Sequence, residues 1–585
     1  MEIREKFLKF FERRGHTIVK SSSLVPDEPS VLLTTAGVQQ FKPYFVGLKD
    51  PLKDFSSQRA TSCQKSFRTS DIDQIGDETH LTFFEMLGNF SFGPVGSDKP
   101  DDFGKSGYFK RSAIHWAWQF LNETCSLKER DFFVTVFQGD ENVPFDEESY
   151  NIWRKEIGVP EEKIKKFPKE DNFWGPTGLE GPCGPTTEIH IEGVEVWNLV
   201  FNQYFQEESG KLRLLKNPGV DTGMGLERLL KTIEMAETIF ETSSFLPLLE
   251  VIDKESSFLE TKIKRILADH SRAIVFLISD GVLPSNKEAG YVLRRLLRRL
   301  ITYSKIYQFD FSLLLKLKKV VEENYGNFYP ELFNKREEAN SIIEEEYQKF
   351  QRALKQGLRE LERIPEIDAK KAFYLYETFG LPFEVIKEIG AKKIKNLSYQ
   401  DFEKEFKKHQ EISRRGAVIK FGGHGISDKM KKEEIEKITK LHTATHLLQA
   451  ALRKILGPEV KQAGSDINPQ RLRFDFFFSK EINQEELNKV ESLVNEKISQ
   501  DLEVKKEEMS LSEAMKSGAL AFFKAKYPPR VSVYSIFEPK SGEVFSKEIC
   551  AGPHVKSTKV LGNFQIIKLE SIGSGLKRIK ATLQE

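Results

Sequence analysis

Gly219, Gly223 and Gly225 punctuate the stretch Val220-Asp-Thr-Gly-Met-Gly-Leu-Glu-Arg228, which runs straight into Leu229-Leu-Lys-Thr-Ile-Glu-Met235. The pattern predicts a strand turning into an amphipathic helix, with no side chains at the turn to keep a ligand from the backbone. Arg228 falls in the first turn of that helix. A planar guanidinium on so rigid a mount can stack on an aromatic base or hold a phosphate. An ordinary strand–helix join would use the same glycines, so the choice rests on the rest of the chain.

Two strand-like runs upstream narrow it. Gln58-Arg-Ala-Thr-Ser-Cys-Gln-Lys-Ser-Phe-Arg68 and Thr82-Phe-Phe-Glu-Met-Leu-Gly-Asn-Phe-Ser-Phe-Gly93 flank a short polar loop. That arrangement predicts an antiparallel hairpin. Arg68, ending the first strand, can fork onto a phosphate and neutralise charge developing there. Phe83 and Phe84 offer an aromatic face. A hydrophobic hairpin with a surface arginine would look similar. Ahead of it, Ile3, Phe7, Phe10 and Phe11 fall at helical spacing closed by Gly15, and Thr17 to Pro26 reads as a strand. Residues 93–106, rich in Gly, Pro and Asp, read as a surface loop.

Residues 240–400 switch to helical periodicity. Arg294, Arg295, Arg298 and Arg299 crowd one helical face with no acidic residue among them, a stripe suited to phosphates or to plain solvation. The chain holds 89 Lys and Arg against 88 Asp and Glu, so a nucleic acid must be gripped by such local patches, not a global field. Residues 401–440 are Lys/Glu-rich around Gly422-Gly-His-Gly425 and read as a linker. His442-Thr-Ala-Thr-His446 then sets two imidazoles at i and i+4 on one helical face, and Cys550-Ala-Gly-Pro-His554 supplies a second pair. HxxxH alone is a weak signal; with three of ten histidines and a distant cysteine involved, zinc is favoured. Thr443 stands where a metalloprotease helix needs glutamate. The four cysteines are scattered without a CxxC, which excludes a disulfide framework and a zinc ribbon. With no apolar run of about 18 residues and no signal-peptide pattern, a cytoplasmic chain without a membrane partner is expected. Its 585 residues accommodate three or four domains.

The string FFEMLGNFSFG resembles the alanyl-tRNA synthetase family. Segments 220–228 and 58–93, with the first helix, its strand and Pro26, resemble motifs 3, 2 and 1 of class II aminoacyl-tRNA synthetases. The resemblance runs from about residue 2 to 585. It implies an α+β multidomain protein: a class II antiparallel-sheet catalytic domain over 1–238, a helical tRNA acceptor-stem recognition domain over 239–400, a linker over 401–437, and over 438–585 an α+β zinc-dependent editing domain shared with threonyl-tRNA synthetase. The implied activity is that of an alanine–tRNA ligase. L-alanine and ATP with Mg2+ give alanyl-adenylate, alanine passes to the 3′ end of tRNA(Ala), and mischarged Ser- or Gly-tRNA(Ala) is hydrolysed at a second site. Such a site has a motive, because one hydroxyl or methyl changes pocket affinity by only about 1–3 kcal/mol.

The resemblance also implies residue roles. Arg68, Asp221 and Arg228 are the catalytic set, with Arg68, Phe84 and Arg228 on ATP. Asn172-Phe-Trp174, Gly181-Pro-Cys-Gly-Pro-Thr-Thr-Glu188 and Glu195-Val-Trp-Asn-Leu-Val-Phe201 match family segments. On that mapping Met86, Trp174, Asn198, Val200 and Asp221 line the alanine pocket, with Asp221 on the ammonium; Asp221 as a helix cap is the plainer alternative. Asn286 and Glu377 match the readers of a G·U acceptor-stem pair, with Arg294, Arg295, Arg298 and Arg299 on RNA phosphates. Gln462 and Cys550 belong to editing, and His442, His446, Cys550 and His554 hold one Zn2+. Ser571 to Thr582 matches the closing strand of that domain.

Several features depart from the family pattern. Thr69–His80 is shorter than the usual GKHNDLE-type loop, whose lysine and histidine lack counterparts. Glu377 replaces an aspartate. There is no GGQ-bearing subdomain before His442 and no C-terminal dimerisation domain, which implies a compact form and a monomer. A deacylase whose first half only docks RNA and a non-catalytic RNA-binding paralogue are the rivals. Intact Arg68, Asp221 and Arg228 argue against both.

Overall fold

A nine-stranded sheet is the frame of the first of two units into which the chain divides, Met1–Leu397 and Ser398–Glu585. The computed structural model describes residues 3–26, 31–127, 130–176, 180–394, 397–408, 431–478, 480–520, 530–573 and 576–584. The strands are β1 Thr17–Ile18, β2 Arg59–Phe67, β3 Phe83–Ser91, β4 Phe132–Phe137, β5 Ile164–Phe167, β6 Phe173–Trp174, β7 Gly181–Ile191, β8 Val194–Gln206 and β9 Leu212–Gly225. They lie in the order β1-β2-β3-β9-β8-β7-β4-β5, with β6 paired to β7. All pairs from β2 to β4 along this path are antiparallel.

Side-chain alternation gives this sheet two different faces. Leu87, Trp197, Leu199, Phe201, Val220 and Met224 point to one and are buried. They are covered by α1 (Ile3–Glu12), whose Phe7 ring lies 5.6 Å from that of Trp197, and by α2 (Lys110–Gln119) with Trp116. The other face carries Phe84, Met86, Asn198, Val200, Asp221, Gly223 and Gly225, because cross-strand partners share a face: Met86 opposes Gly225, Asn198 opposes Gly223 and Val200 opposes Asp221.

The hairpin is β2–β3, and β9 ends in α3 (Leu226–Glu234) with Gly225 as its cap residue. The expected strand from Thr17 to Pro26 shrinks to two residues. Beyond it Ser22 N and Oγ donate to Gln64 Oε1 and Ser21 Oγ accepts from Lys65 N, so side chains replace the ladder.

Helices follow: α4 Leu246–Ser256, α5 Thr261–Ser279, α6 Glu288–Ile306, α7 Ser312–Tyr325, α8 Arg336–Arg363, α9 Ala369–Phe379 and α10 Phe383–Ile389. They join α3 and the sheet through buried ion pairs, Arg272 Nη2 to Glu227 of α3 at 2.6 Å and Lys65 Nζ of β2 to Asp280 at 2.6 Å. The expected division near 238 therefore falls inside one unit.

The second unit contains α11 Lys432–Leu456, β10 Lys461–Asn468, β11 Arg471–Phe477, α12 Gln484–Ser499, β12 Glu503–Ser510, β13 Arg530–Phe537, β14 Val544–Ile549, β15 Asn563–Gly573 and β16 Leu576–Gln584. Its sheets run β10-β11-β16-β15 and β12-β13-β14. Leu441, Leu448 and Leu452 of α11 pack with Val490 and Val494 of α12 and with Phe474, Phe476 and Ile579 of the larger sheet. The helix begins at Lys432, and Ile438 is its first residue in this core. Gly422–Gly425 lies outside the described residues. Among the described residues no helix is long and apolar enough to cross a membrane.

Candidate active site and candidate metal centre

An open cavity of about 650 Å³ lies over the polar face of the large sheet. Arg68, Phe84, Met86, Glu195, Gly223, Gly225 and Arg228 are among its walls. Gly223 makes the floor: a Cβ there would sit 3.0 Å from Met86 Sδ. Arg68 leaves β2 on the same side as Phe84, and its guanidinium carbon lies 5.0 Å from that ring's centre. Arg228 Nη1 donates to Glu195 Oε2 at 2.9 Å, which aims it across the cavity. Burial, and the nearby Arg228 charge working the same way, hold the Arg68 pKa below its ordinary value. The two guanidinium groups line the same cavity.

Asp221 sits on the middle strand of this face, 7 % exposed, and burial alone pushes its carboxyl up to about 7. It lies in β9, four residues before the helix cap, which removes the capping alternative. Val200 lies directly across from it. Asn198 Nδ2 donates to Glu188 Oε1 at 2.9 Å, and Glu188 Oε2 meets His190 Nε2 at 2.9 Å, so this amide is held in place. Trp174, opposite Gly184 on β7, stands further along the sheet and half-buried.

Phe83 is turned away from the cavity, against expectation. It is fully buried and stacks on Phe276 of α5 at 4.1 Å, because neighbours in a strand face opposite sides. His80, at the end of the loop, lines the cavity with Asp71, its Nδ1 against Asp77 Oδ2. Glu195 also escaped the sequence reading. The available signal was an acidic residue within an otherwise aromatic and aliphatic strand.

The arginine stripe is corrected. Arg295 and Arg299 are 8 % and 1 % exposed. Arg295 Nη2 donates to Asp73 and Arg299 Nη2 to Glu388. Arg298 Nε donates to Glu346 at 2.7 Å, and Arg294 Nη1 donates to Asn286. The neutralising acids come from α8, α10 and the loop before β3, which inspection of the helix alone cannot reveal. Asn286 and Glu377 are exposed, and Tyr291 and Tyr376 near them have ring centres 6.0 Å apart.

In the second unit the ligand atoms of His442, His446, Cys550 and His554 all lie within 4.8 Å of one another. The surroundings fit a metal. His442 Nδ1 is 3.0 Å from the Pro553 carbonyl, His446 Nδ1 3.4 Å from Glu548 Oε2, and His554 Nδ1 3.2 Å from Thr443 Oγ1. His442 and His554 thus have Nδ1 hydrogen-bonded and His446 has Nδ1 beside a carboxylate, an arrangement in which Nε2 is left to the cluster, as in ligating histidines. Cys550 Sγ is 3.3 Å from His442 Nε2. Burial pushes this thiol up to about 12, so a thiolate there calls for a cation. Gln462 is half-buried on β10, a strand that packs on the helix bearing the two histidines.

Comparison with known proteins gives two family matches. Residues 2–462 match the family described as tRNA synthetases class II (A), and residues 531–580 match the threonyl and alanyl tRNA synthetase second additional domain. An alanine–tRNA ligase of Borrelia hermsii is 38 % identical, with 100 % of this chain and 99 % of that one covered. One from Treponema pallidum is 40 % identical over 100 % and 98 %. One from Thermotoga maritima is 35 % identical over 99 % of this chain and 80 % of its own.

Proposed function

This chain belongs to the alanine–tRNA ligases among the class II tRNA synthetases, and from that premise we propose how its residues divide the ligase and editing chemistry. The observation that carries the assignment is Asp221. A carboxylate buried on the ligand face, shifted by burial alone, lacks the counter-charge that an amino-acid ammonium brings. Val200 across from it, with Met86 nearby, limits the space to a small side chain, and Asn198 orients the substrate. Trp174 closes the pocket from β6.

ATP enters over Gly223 and Gly225 with its Mg2+. Adenine lies against Phe84, Arg68 forks onto the α-phosphate, and Arg228, aimed by Glu195, takes a second position on the nucleotide. The alanine carboxylate oxygen attacks the α-phosphorus while the bond to the β-phosphate oxygen breaks and pyrophosphate leaves. Both arginines act where charge grows, so rate enhancement comes from positioning and electrostatics without a covalent protein intermediate. A terminal ribose hydroxyl of tRNA(Ala) then attacks the alanyl carbonyl and AMP departs. Asn286, Arg294, Arg298 and Glu377 face the acceptor stem.

In the second unit His442, His446 and His554 through Nε2 and Cys550 through Sγ would hold zinc. When bound, zinc would supply a Lewis-acidic charge that fixes the aminoacyl end for hydrolysis of seryl or glycyl esters. Pro553, Glu548 and Thr443 set the imidazole orientations, and Gln462 contacts the ester end.

ATP–pyrophosphate exchange with each amino acid in turn, without tRNA, tests the ligase half. Exchange is expected strongest with alanine and weaker with serine and glycine. No exchange with any amino acid would sink the reading.

A further inference from the structure

The loop 68–82, whose front lines the cavity through Arg68, Asp71, Thr79 and His80, is gripped from behind by helices. Arg295 Nη2 donates to Asp73 Oδ1 at 2.8 Å while Arg295 Nε donates to Glu384 Oε1 at 2.9 Å. One turn on, Arg299 Nη1 donates to the Ile72 carbonyl at 3.1 Å, its Nε to the Tyr303 hydroxyl at 2.9 Å and its Nη2 to Glu388 at 3.0 Å. From α5, Arg265 Nη1 donates to the Asp77 carbonyl at 3.1 Å. Thr82 N donates to Asp269 Oδ1 at 2.9 Å. Ile72 and Ile75 are buried, and a Cβ on Gly76 would meet Lys262 Cγ at 2.7 Å, so the loop backbone is seated directly on α5.

We propose that Arg295 and Arg299 are positioning residues for amino-acid activation, holding the loop that presents Arg68, Asp71 and His80 to ATP, and are not RNA ligands. The proposal rests on the reading of the cavity as the ATP site. Its physical basis is that each guanidinium is buried with an acidic partner on one side and a loop group on the other. Nε and Nη2 of Arg295 and the three nitrogens of Arg299 could reach a phosphate only by giving up these contacts, and breaking a buried pair is strongly unfavourable. A loop fastened in advance does not have to be ordered by its ligand, which favours nucleotide binding.

The test is steady-state ATP–pyrophosphate exchange with alanine on the full chain, without RNA, for Asp73→Ala and Arg295→Gln. Each is expected to raise the KM for ATP about tenfold while the KM for alanine stays within about twofold. Affinity for tRNA by filter binding should be unchanged, and amide hydrogen exchange over 69–80 should quicken. Arg295→Gln leaves Glu384 buried without its cation; should that variant fail to fold, Asp73→Ala decides alone, because its side chain is 30 % exposed and Arg295 retains Glu384. An unchanged KM for ATP in folded Asp73→Ala overturns the proposal. Weakened tRNA binding with normal ATP kinetics in Arg295→Gln also overturns it and restores the RNA stripe. Absence of exchange by the unsubstituted chain overturns the cavity reading and this proposal together.

Discussion

Asp221 carries a cost as well as a role. Its folded pKa, about 7, lies above the ordinary carboxylate value, so the folded state keeps this proton to higher pH than the unfolded chain does. Its stability contribution is therefore present below about pH 4 and is lost as pH rises through about 7. Asp221→Asn should raise the unfolding temperature at pH 8 more than at pH 5, while alanine-dependent exchange falls by about a hundredfold or more. In the unsubstituted chain an ammonium needs the carboxylate form. The KM for alanine should accordingly climb about tenfold per unit below pH 7 and be flat above, as exchange rates across pH 5.5–8.5 would reveal. At the other site, Cys550→Ala should lower bound zinc by elemental analysis and let seryl-tRNA accumulate while alanylation stays intact. Unchanged mischarging would mean that the second site is idle.

At the scale of strands and helices, two glycines separate folding from function. On β7 a Cβ at Gly184 would lie 1.8 Å from the Phe201 carbonyl oxygen, a backbone atom that cannot yield. Gly184→Ala should cost about 3 kcal/mol or more in denaturant unfolding. At Gly223 the atom in the way is Met86 Sδ, the end of a flexible side chain. Gly223→Ala should leave stability near normal and raise the KM for alanine and ATP by filling the floor. Period-two alternation and the glycine run made this face legible in the sequence: Arg68, Met86 and Arg228 line one cavity with Gly223, and Asn198, opposite Gly223, shares the sheet face with Val200 and Asp221. What stayed hidden depended on partners remote in the chain. Arg295 and Arg299 look exposed until Asp73, Glu384 and Glu388 are brought beside them, and Phe83 looks equivalent to Phe84 until Phe276 covers it. The histidine and cysteine pairs were legible because each pair is local, whereas the groups that orient them, Glu548 and Thr443, announce nothing by their spacing.

Across the whole molecule, the candidate active site and the candidate metal centre fall in separate units, Met1–Leu397 and Ser398–Glu585. A zinc chelator should leave ATP–pyrophosphate exchange unaffected and lower only the unfolding transition that follows the second unit, measured by calorimetry with and without added zinc. The size of that drop has a simple origin. His442 and Cys550, whose ligand atoms nearly touch, are 108 residues apart in the chain. A metal joining them works as a reversible cross-link, removing from the unfolded ensemble the entropy of a long loop, worth about 5 kcal/mol in the chain-entropy picture applied to disulfides. With zinc held there, the stability of the second unit would become a function of free zinc concentration, rising with its logarithm once the site saturates.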